Sequence, residues 1–230
     1  MNFSVLEAAL AYHDANLPIT ICAGDDGKHP GAVVGKGWQR KRFTTDEVER
    51  LFQDHPHANV GVILGKPSGI IDIECDAPES ESDLAGLFDG VELPVTPTYK
   101  SPRGKHRLFA WSAESDRIGK AKFYWKSLEV RIGAGKGAQS LLPPSTTDGF
   151  TRHWLVGLDE CDLSPLPAQV VERLKAVTHA TQRNTGNVDT TGHVLGSLCS
   201  TTFSMLHDQL LRLEPEEAAE IAIRACIPDG

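Results

Sequence analysis

The sequence lacks the features that would indicate a secreted or membrane protein. No apolar run approaches the roughly 18 residues that a membrane-spanning helix needs, so we predict no membrane partner. The amino terminus lacks the basic start and apolar core of a signal peptide. The five cysteines are odd in number and none belongs to a CxxC pair, which argues against a disulfide framework and against a cysteine zinc site. We therefore expect a cytoplasmic protein in a reducing compartment, with no zinc.

The motifs of several common enzyme classes are also missing. Two stretches, GAVVGKGW and GAGKGAQS, contain Gly-Lys, but neither has the spacing or the Ser/Thr of a Walker A loop. His55 and His57 lie two positions apart, without cysteine or histidine partners at zinc-ligand spacing. No Ser/His/Asp or Cys/His pattern indicates a nucleophile. The sequence therefore does not support a P-loop nucleotidase, a zinc enzyme or a serine or cysteine hydrolase.

Basic residues are scarce overall but concentrated in two segments. The formal net charge is -8 at pH 7, which alone argues against a nucleic-acid partner. Residues 28–42 nevertheless contain five Lys/Arg and no acid, and residues 100–136 contain ten Lys/Arg and three acids. Each segment by itself could be a solvated surface. If both converge on one site, they form a local basic surface suited to phosphates.

The apolar periodicity predicts an α+β domain over residues 1–160 and a helical accessory region or linker over 161–230. The predicted helices of the first region are VLEAALAYHDA (5–15), TTDEVERLFQDHP (44–56) and SESDLAGLF. Its predicted strands are PITICA (18–23), ANVGVILG (58–65), SGIIDIEC (68–75), two within 97–111, two within 127–145, and HWLVG (153–157). In the second region we expect helices in LSPLPAQVVERLKAVTHATQ, TTFSMLHDQLLRL and EPEEAAEIAIRAC.

The stretch GIIDIECD places three carboxylates at alternate positions of a predicted strand. Side chains alternate between the two faces of a strand, so Asp72, Glu74 and Asp76 share one face. Carboxylates about 7 Å apart on one strand could share Mg²⁺ or Mn²⁺ ions, and a pair of such ions supports phosphoryl transfer. The alternative is a solvated acidic face. Glu129 in a second predicted strand and His106 after a basic glycine turn favour the metal site.

Four segments in order, HANVGVILG, GIIDIE, RGKHRLF and LEVRIGAGKGAQSLLPPS, resemble the bifunctional DNA primase/polymerase (prim-pol) family of the archaeo-eukaryotic primase superfamily. The resemblance covers roughly residues 5–157. It implies an α+β primase-polymerase fold with mixed and antiparallel sheets: an RRM-like catalytic half and an N-terminal α/β half, followed here by a helical tail. It also implies a DNA-directed DNA polymerase or primase that adds nucleotides to a 3′-hydroxyl with two Mg²⁺ or Mn²⁺ ions. De novo primer synthesis stays open.

The resemblance assigns roles to residues of three motifs. The first motif of the family supplies two metal-binding acids, here Asp72 and Glu74. The second supplies a histidine that contacts the triphosphate, here His106, and the third supplies another metal-binding acid, here Glu129. This set of four is the predicted catalytic set.

Three positions depart from the family pattern. The third motif usually carries Asp where this chain has Glu129, which keeps the charge and reaches one methylene further. The second motif commonly has Ser at the position of Gly104, so a hydroxyl contact to phosphate is lost. Asp76 has no clear counterpart and is left out of the predicted metal set.

Basic side chains near these motifs are candidate ligands of phosphate. Those expected to bind the nucleotide are Lys28, Arg103, Lys105, His106 and Arg131. Those expected to follow a template backbone, with an aromatic ring to stack on a base, are Lys36, Trp38, Arg40, Lys41 and Arg42. Trp38 could equally be a core residue.

The implied substrates and partners are those of DNA replication. They comprise a single-stranded DNA template and primer, dNTP or NTP, and a helicase-like module in the same or another chain. Because the chain ends soon after a predicted helix, we expect it to be part of a longer replication protein. Two alternatives stay open: a metal-dependent nuclease built on the same carboxylates, and a non-catalytic single-stranded DNA-binding module.

Overall fold

The computed structural model of the chain describes residues 4–134 and 137–186. Five α-helices occur in this part of the chain: α1 (Val5–Asp14), α2 (Thr45–Asp54), α3 (Ser80–Leu87), α4 (Ala113–Asp116) and α5 (Ala168–Gly186). Two 3₁₀ turns, Pro30–Ala32 and Trp38–Arg40, shape the basic segment 28–42. None of the helices in the described ranges is long and apolar enough to cross a membrane.

Helices α1 and α2 each begin with a capping residue. Ser4 accepts a hydrogen bond from the backbone of Glu7, whose carboxylate in turn accepts one from the backbone of Ser4. Thr44 and Glu47 make the same reciprocal pair at the start of α2. Each pair satisfies backbone N–H groups that a helix start otherwise leaves without partners.

Twelve short strands occur in the described residues. They are β1 (Ile19–Cys22), β2 (Asn59–Ile63), β3 (Ile70–Cys75), β4 (Thr98–Lys100), β5 (Lys105–Ala110), β6 (Lys122–Trp125), β7 (Leu128–Arg131), β8 (Gln139–Leu141), β9 (Thr146–Thr147), β10 (Phe150–Thr151), β11 (His153–Val156) and β12 (Ser164–Pro165). A small antiparallel sheet has the order β1-β2-β8. A large sheet has the order β11-β4-β5-β3-β7-β6, with β12 pairing in parallel with β5, and β9 and β10 form a hairpin.

The two faces of the large sheet bury different cores. One face carries Ile71, Ile73 and Phe109, which pack against apolar residues of α3 and α5. The other face carries Ile70 and Leu108, which pack with the small sheet, α1 and α2. Strand β3 is therefore buried along its whole length, on both faces. A carboxylate on β3 must consequently find partners inside the fold.

The structure confirms the predicted α+β class with mixed and antiparallel sheets. The predicted strands of the first region all have counterparts, whereas β6, β9, β10 and β12 were not predicted. Helix α5 matches the first predicted helix of the second region, and its Val170, Val171 and Leu174 lie in the core beneath the large sheet. The predicted helices TTFSMLHDQLLRL and EPEEAAEIAIRAC lie outside the described residues.

Candidate active site

The candidate site lies where the central strands β5, β3 and β7 run side by side. Antiparallel pairing sets Glu74 of β3 opposite His106 on one neighbour and Glu129 on the other. Asp72, two residues earlier on the same face, is opposite Arg131. Strand alternation and register thus gather the four predicted catalytic residues on one face of one sheet.

The exposed fraction of the acidic side chains rises along β3 and its end. It is 0% at Asp72, 8% at Glu74 and 19% at Asp76. Strand β8 of the small sheet covers the inner end of this row, where the Ser140 hydroxyl donates a hydrogen bond to Asp72. The three carboxylates therefore share a face, as predicted, but differ in their access to solvent.

Asp72 is held by groups that favour its ionised form. Nδ1 of His106 lies 2.8 Å from Oδ2 of Asp72, and Nη1 of Arg131 lies 3.6 Å from the same oxygen. Burial acts to raise the pKa of Asp72, but His106, Arg131 and the Ser140 hydroxyl outweigh it and lower that pKa. Oδ1 of Asp72 has no hydrogen-bond partner among the described residues.

The ring of His106 is fixed from two sides. A carboxylate can only accept a hydrogen bond, so Nδ1 carries the proton that it donates to Asp72. The ring of Tyr99 stacks on it, with centroids 4.5 Å apart and planes 8° apart. Nε2 lies 3.8 Å from Oε1 of Glu74 and therefore faces the more exposed carboxylates.

Glu74, Asp76 and His106 form a group that could hold a metal ion. One candidate ligand atom from each lies within 4.8 Å of the others. Asp76 is not in the predicted metal set, because it has no clear counterpart in the family motif. The alternation in GIIDIECD was the signal that could have included it, since it places Asp76 on the same face as Glu74.

The carboxylates of Glu74 and Asp76 influence each other's ionisation. Burial raises the pKa of Glu74 to about 7, and the hydrogen bond with Asp76 acts in the same direction. Burial also acts to raise the pKa of Asp76, but the bonds with Glu74, Arg103 and Ser101 outweigh it and lower that pKa to about 2. Oxygen-rich groups of this kind suit hard cations such as Mg²⁺ and Mn²⁺, so these residues fit the metal that the family implies.

Glu129 stands beside this group and has its own partners. The hydroxyl of Tyr124 donates to its carboxylate at 2.7 Å, and Nζ of Lys122 lies 3.1 Å from it. Arg131 donates to Glu129 through Nε and to Glu74 through Nη2, so one guanidinium ties the two carboxylates together. A small pocket of about 240 Å³ is lined by Glu74, Asp76 and Glu129 among others.

A larger cleft of about 690 Å³ opens in front of the carboxylates. Predicted nucleotide ligands that line it are Lys28, Arg103, His106 and Arg131, and it is also lined by Trp38, Lys122 and Arg152. Lys105 is not among the lining residues. It alternates with His106 on β5 and forms an ion pair with Glu81 at 3.3 Å on the other face of the sheet. Sequence reasoning missed Arg152.

The predicted DNA-binding residues lie around the second 3₁₀ turn. Lys36, Arg40, Lys41 and Arg42 are exposed, and Lys41 donates a hydrogen bond to the backbone carbonyl of Val34. Trp38 is half-buried: it packs against the core of the small sheet and also lines the cleft. The turn thus presents cations near the mouth of the cleft, and Trp38 lies between the core and the cleft.

The comparison with known protein families agrees with this geometry. None of the curated proteins compared with the sequence matches it. A family model described as the N-terminal domain of bifunctional DNA primase/polymerase matches residues 9–169, which is more than half of the chain. That range contains every strand of both sheets, the carboxylate row and the basic cleft. The chain therefore belongs to the bifunctional DNA primase/polymerase family.

Proposed function

We propose that the chain is a template-directed nucleotidyltransferase that adds nucleotides to the 3′-hydroxyl of a DNA primer. The observation that carries the proposal is the group formed by Glu74, Asp76 and His106, which opens onto a cleft lined by basic side chains. Family membership supplies the reaction class. Carboxylates beside a basic cleft suit the attack of a hydroxyl on the α-phosphate of a nucleoside triphosphate with release of pyrophosphate, because cations and arginines stabilise the negative charge that develops on the phosphate oxygens.

Glu74 and Asp76 are the residues that we propose to hold Mg²⁺ or Mn²⁺, with Glu129 as a further ligand. All three line one pocket. Two bound ions would lower the pKa of the attacking hydroxyl and stabilise the leaving pyrophosphate. Asp72, which the family resemblance assigned to the metal, is buried and bonded to His106 and Ser140. We therefore propose that Asp72 positions His106.

His106 is the proposed contact to the triphosphate. Its Nδ1–H is engaged with Asp72, so Nε2 is the atom available to the cleft. Arg103 and Arg131 flank it and are both paired with carboxylates, at 2.7 Å for Arg103 and Asp76. Each guanidinium has five donors, so it can keep a carboxylate partner and still offer an N–H to a phosphate oxygen.

The template and primer are the proposed occupants of the surface beside the cleft. The exposed cations at Lys36, Arg40, Lys41 and Arg42 suit a phosphate backbone, and the ring of Trp38 lies at the cleft where a base could stack. Both dNTP and NTP remain candidate substrates. A helicase-like module, in this or another chain, is the proposed replication partner.

Primer extension tests the proposal. The protein is incubated with a primed single-stranded template, dNTPs and Mn²⁺, and we expect the primer to lengthen in an order set by the template. A shortened template without extension would instead support a nuclease on the same carboxylates. DNA binding with neither product would support a non-catalytic binding module. Omitting the primer and supplying NTPs tests de novo priming.

A further inference from the structure

Arg152 is a buried cation without an acidic partner. Its exposed fraction is only 6%, and it lies between β10 and β11. Nη1 donates to the hydroxyl of Thr147 at 2.9 Å, whereas Nε has no hydrogen-bond partner among the described residues. No carboxylate of the described residues forms an ion pair with it. Glu74 and Asp76 attract Arg152 without forming an ion pair with it, and a buried charge without a direct partner is unfavourable.

The other cations of the cleft differ from Arg152 in this respect. Lys28 lies 3.6 Å from Asp148, and Lys122 lies 3.1 Å from Glu129. Arg103 and Arg131 are each paired with carboxylates of the candidate metal site. Among the described lysines and arginines that line the cleft, Arg152 alone has no carboxylate partner. The cleft therefore contains one positive charge that an incoming anion could neutralise.

A backbone contact fixes the position of Arg152, but no contact in the described residues requires its side chain to be charged. Its backbone N–H donates to the carbonyl of Ser145 at 3.0 Å, which closes the segment that contains the β9–β10 hairpin. That contact would form with almost any side chain. The hydroxyl of Thr147 is a neutral acceptor, so the hydrogen bond to it does not require a charged donor. A buried guanidinium in this position suggests an anionic ligand.

We propose that Arg152 binds a phosphate group of the incoming nucleoside triphosphate. The inference rests on the proposed function, because it places the triphosphate in the cleft that Arg152 shares with His106 and Arg131. A planar guanidinium can donate two parallel hydrogen bonds to a phosphate. Arg152 is buried, whereas the cations proposed for the DNA backbone are exposed. This difference favours the small triphosphate over a DNA strand as its ligand.

The variant Arg152→Met tests the proposal by binding and by stability together. Calorimetry with dGTP and Mg²⁺, without DNA, should show an affinity about tenfold to a hundredfold weaker than in the parent protein, the range for losing hydrogen bonds to a charged group. Methionine has a similar length and no charge, so Tm should stay equal or rise. Arg117→Met, an exposed arginine paired with Glu114, is the control and should change neither quantity.

Three results would overturn the proposal. The first is an Arg152→Met variant that binds dGTP as tightly as the parent protein, whatever its Tm. The second is weaker binding of a single-stranded oligonucleotide with unchanged binding of dGTP, which would assign Arg152 to DNA. If Arg152→Met does not fold, Arg152→Lys is used instead. Loss of the two parallel donors of the guanidinium should weaken dGTP binding in this variant. An unchanged affinity for dGTP is the third contrary result.

The binding measurement also separates this inference from the proposed function. A parent protein that binds dGTP but extends no primer contradicts the polymerase proposal alone, and Arg152 is still judged by the ratio of the two affinities. A parent protein that extends primers while Arg152→Met binds dGTP normally contradicts the inference alone.

Discussion

Nδ1 of His106 lies 2.8 Å from a carboxylate oxygen of Asp72, at the buried end of the acidic row. The contact fixes which ring nitrogen carries the proton and leaves Nε2 facing Glu74. Ser140 and Arg131 contact the same oxygen, Oδ2, whereas Oδ1 has no hydrogen-bond partner among the described residues. We propose that Asp72 anchors the cluster through Oδ2 and that the more exposed acids hold the cations.

Replacing Asp72 tests the anchor. Asp72→Ala should lower the free energy of unfolding by about 1–3 kcal/mol, because it leaves Nδ1 of His106 and the hydroxyl of Ser140 buried without their acceptor. Asp72→Asn should lower the free energy of unfolding by less, since the amide oxygen can still accept a hydrogen bond. Urea denaturation measures both, with the exposed Asp116→Ala as the control. An Asp72→Ala variant as stable as the control would show that the contact is not an anchor.

The assignment of metal ligands can be tested without turnover. Glu74→Gln and Asp76→Asn should each weaken Mn²⁺ binding by about tenfold or more, because each removes a charged oxygen ligand. Asp72→Asn should change Mn²⁺ affinity much less, since Asp72 lies behind the site. Electron paramagnetic resonance of free Mn²⁺ gives these affinities. If Asp72→Asn has the larger effect, Asp72 is a ligand, as the family resemblance implied.

The stability of the metal-free protein should depend on the protonation of Glu74. Its pKa is raised from 4.5 to about 7 by burial, so the native state binds this proton more tightly than the unfolded chain. The resulting stabilisation is fully present below about pH 4.5 and is lost as the pH rises through about 7. Thermal unfolding in the presence of a chelator should show this loss, and Glu74→Gln should reduce it. Parallel curves for both proteins would contradict the account.

The exposed cations near Trp38 should set the salt dependence of DNA binding. Lys36→Ala and Arg40→Ala should each weaken binding of a single-stranded oligonucleotide and reduce the slope of log K against log salt by about 0.7, the value for one lost phosphate contact. Fluorescence anisotropy over a salt series measures both effects. Arg117→Ala, outside the cleft, should leave the slope unchanged. Equal slopes in the parent and the three variants would show that this turn does not contact the DNA phosphates.

Part of the site follows from the sequence alone. Strand alternation predicts that Asp72, Glu74 and Asp76 share a face, and the structure shows that they do. The same rule places Lys105 on the opposite face of the sheet from His106, so its absence from the cleft could have been predicted from the sequence. The exposed fraction of each carboxylate cannot be predicted from its neighbours in sequence, because Asp72 is covered by Ser140 from a strand of the other sheet. The sequence therefore predicts the row of acids but not which of them is accessible.

Other features depend entirely on long-range packing. Glu129 lies beside Glu74 through strand pairing, which links residues 55 positions apart and follows from no local pattern. Arg152 is carried by a connection next to a two-residue hairpin strand, and such short strands leave almost no periodic signal. A basic residue of this kind is indistinguishable in sequence from an exposed surface arginine.

Primer extension on a single-stranded template with Mn²⁺ and dNTPs decides whether the chain is a polymerase that uses Asp76, with the parent protein, Asp76→Asn and the Asp116→Asn control in parallel. We expect template-ordered extension by the parent and the control, and loss of extension in Asp76→Asn although that variant still binds DNA. Extension by Asp76→Asn at the parent rate, or no extension by the parent at all, would contradict this expectation.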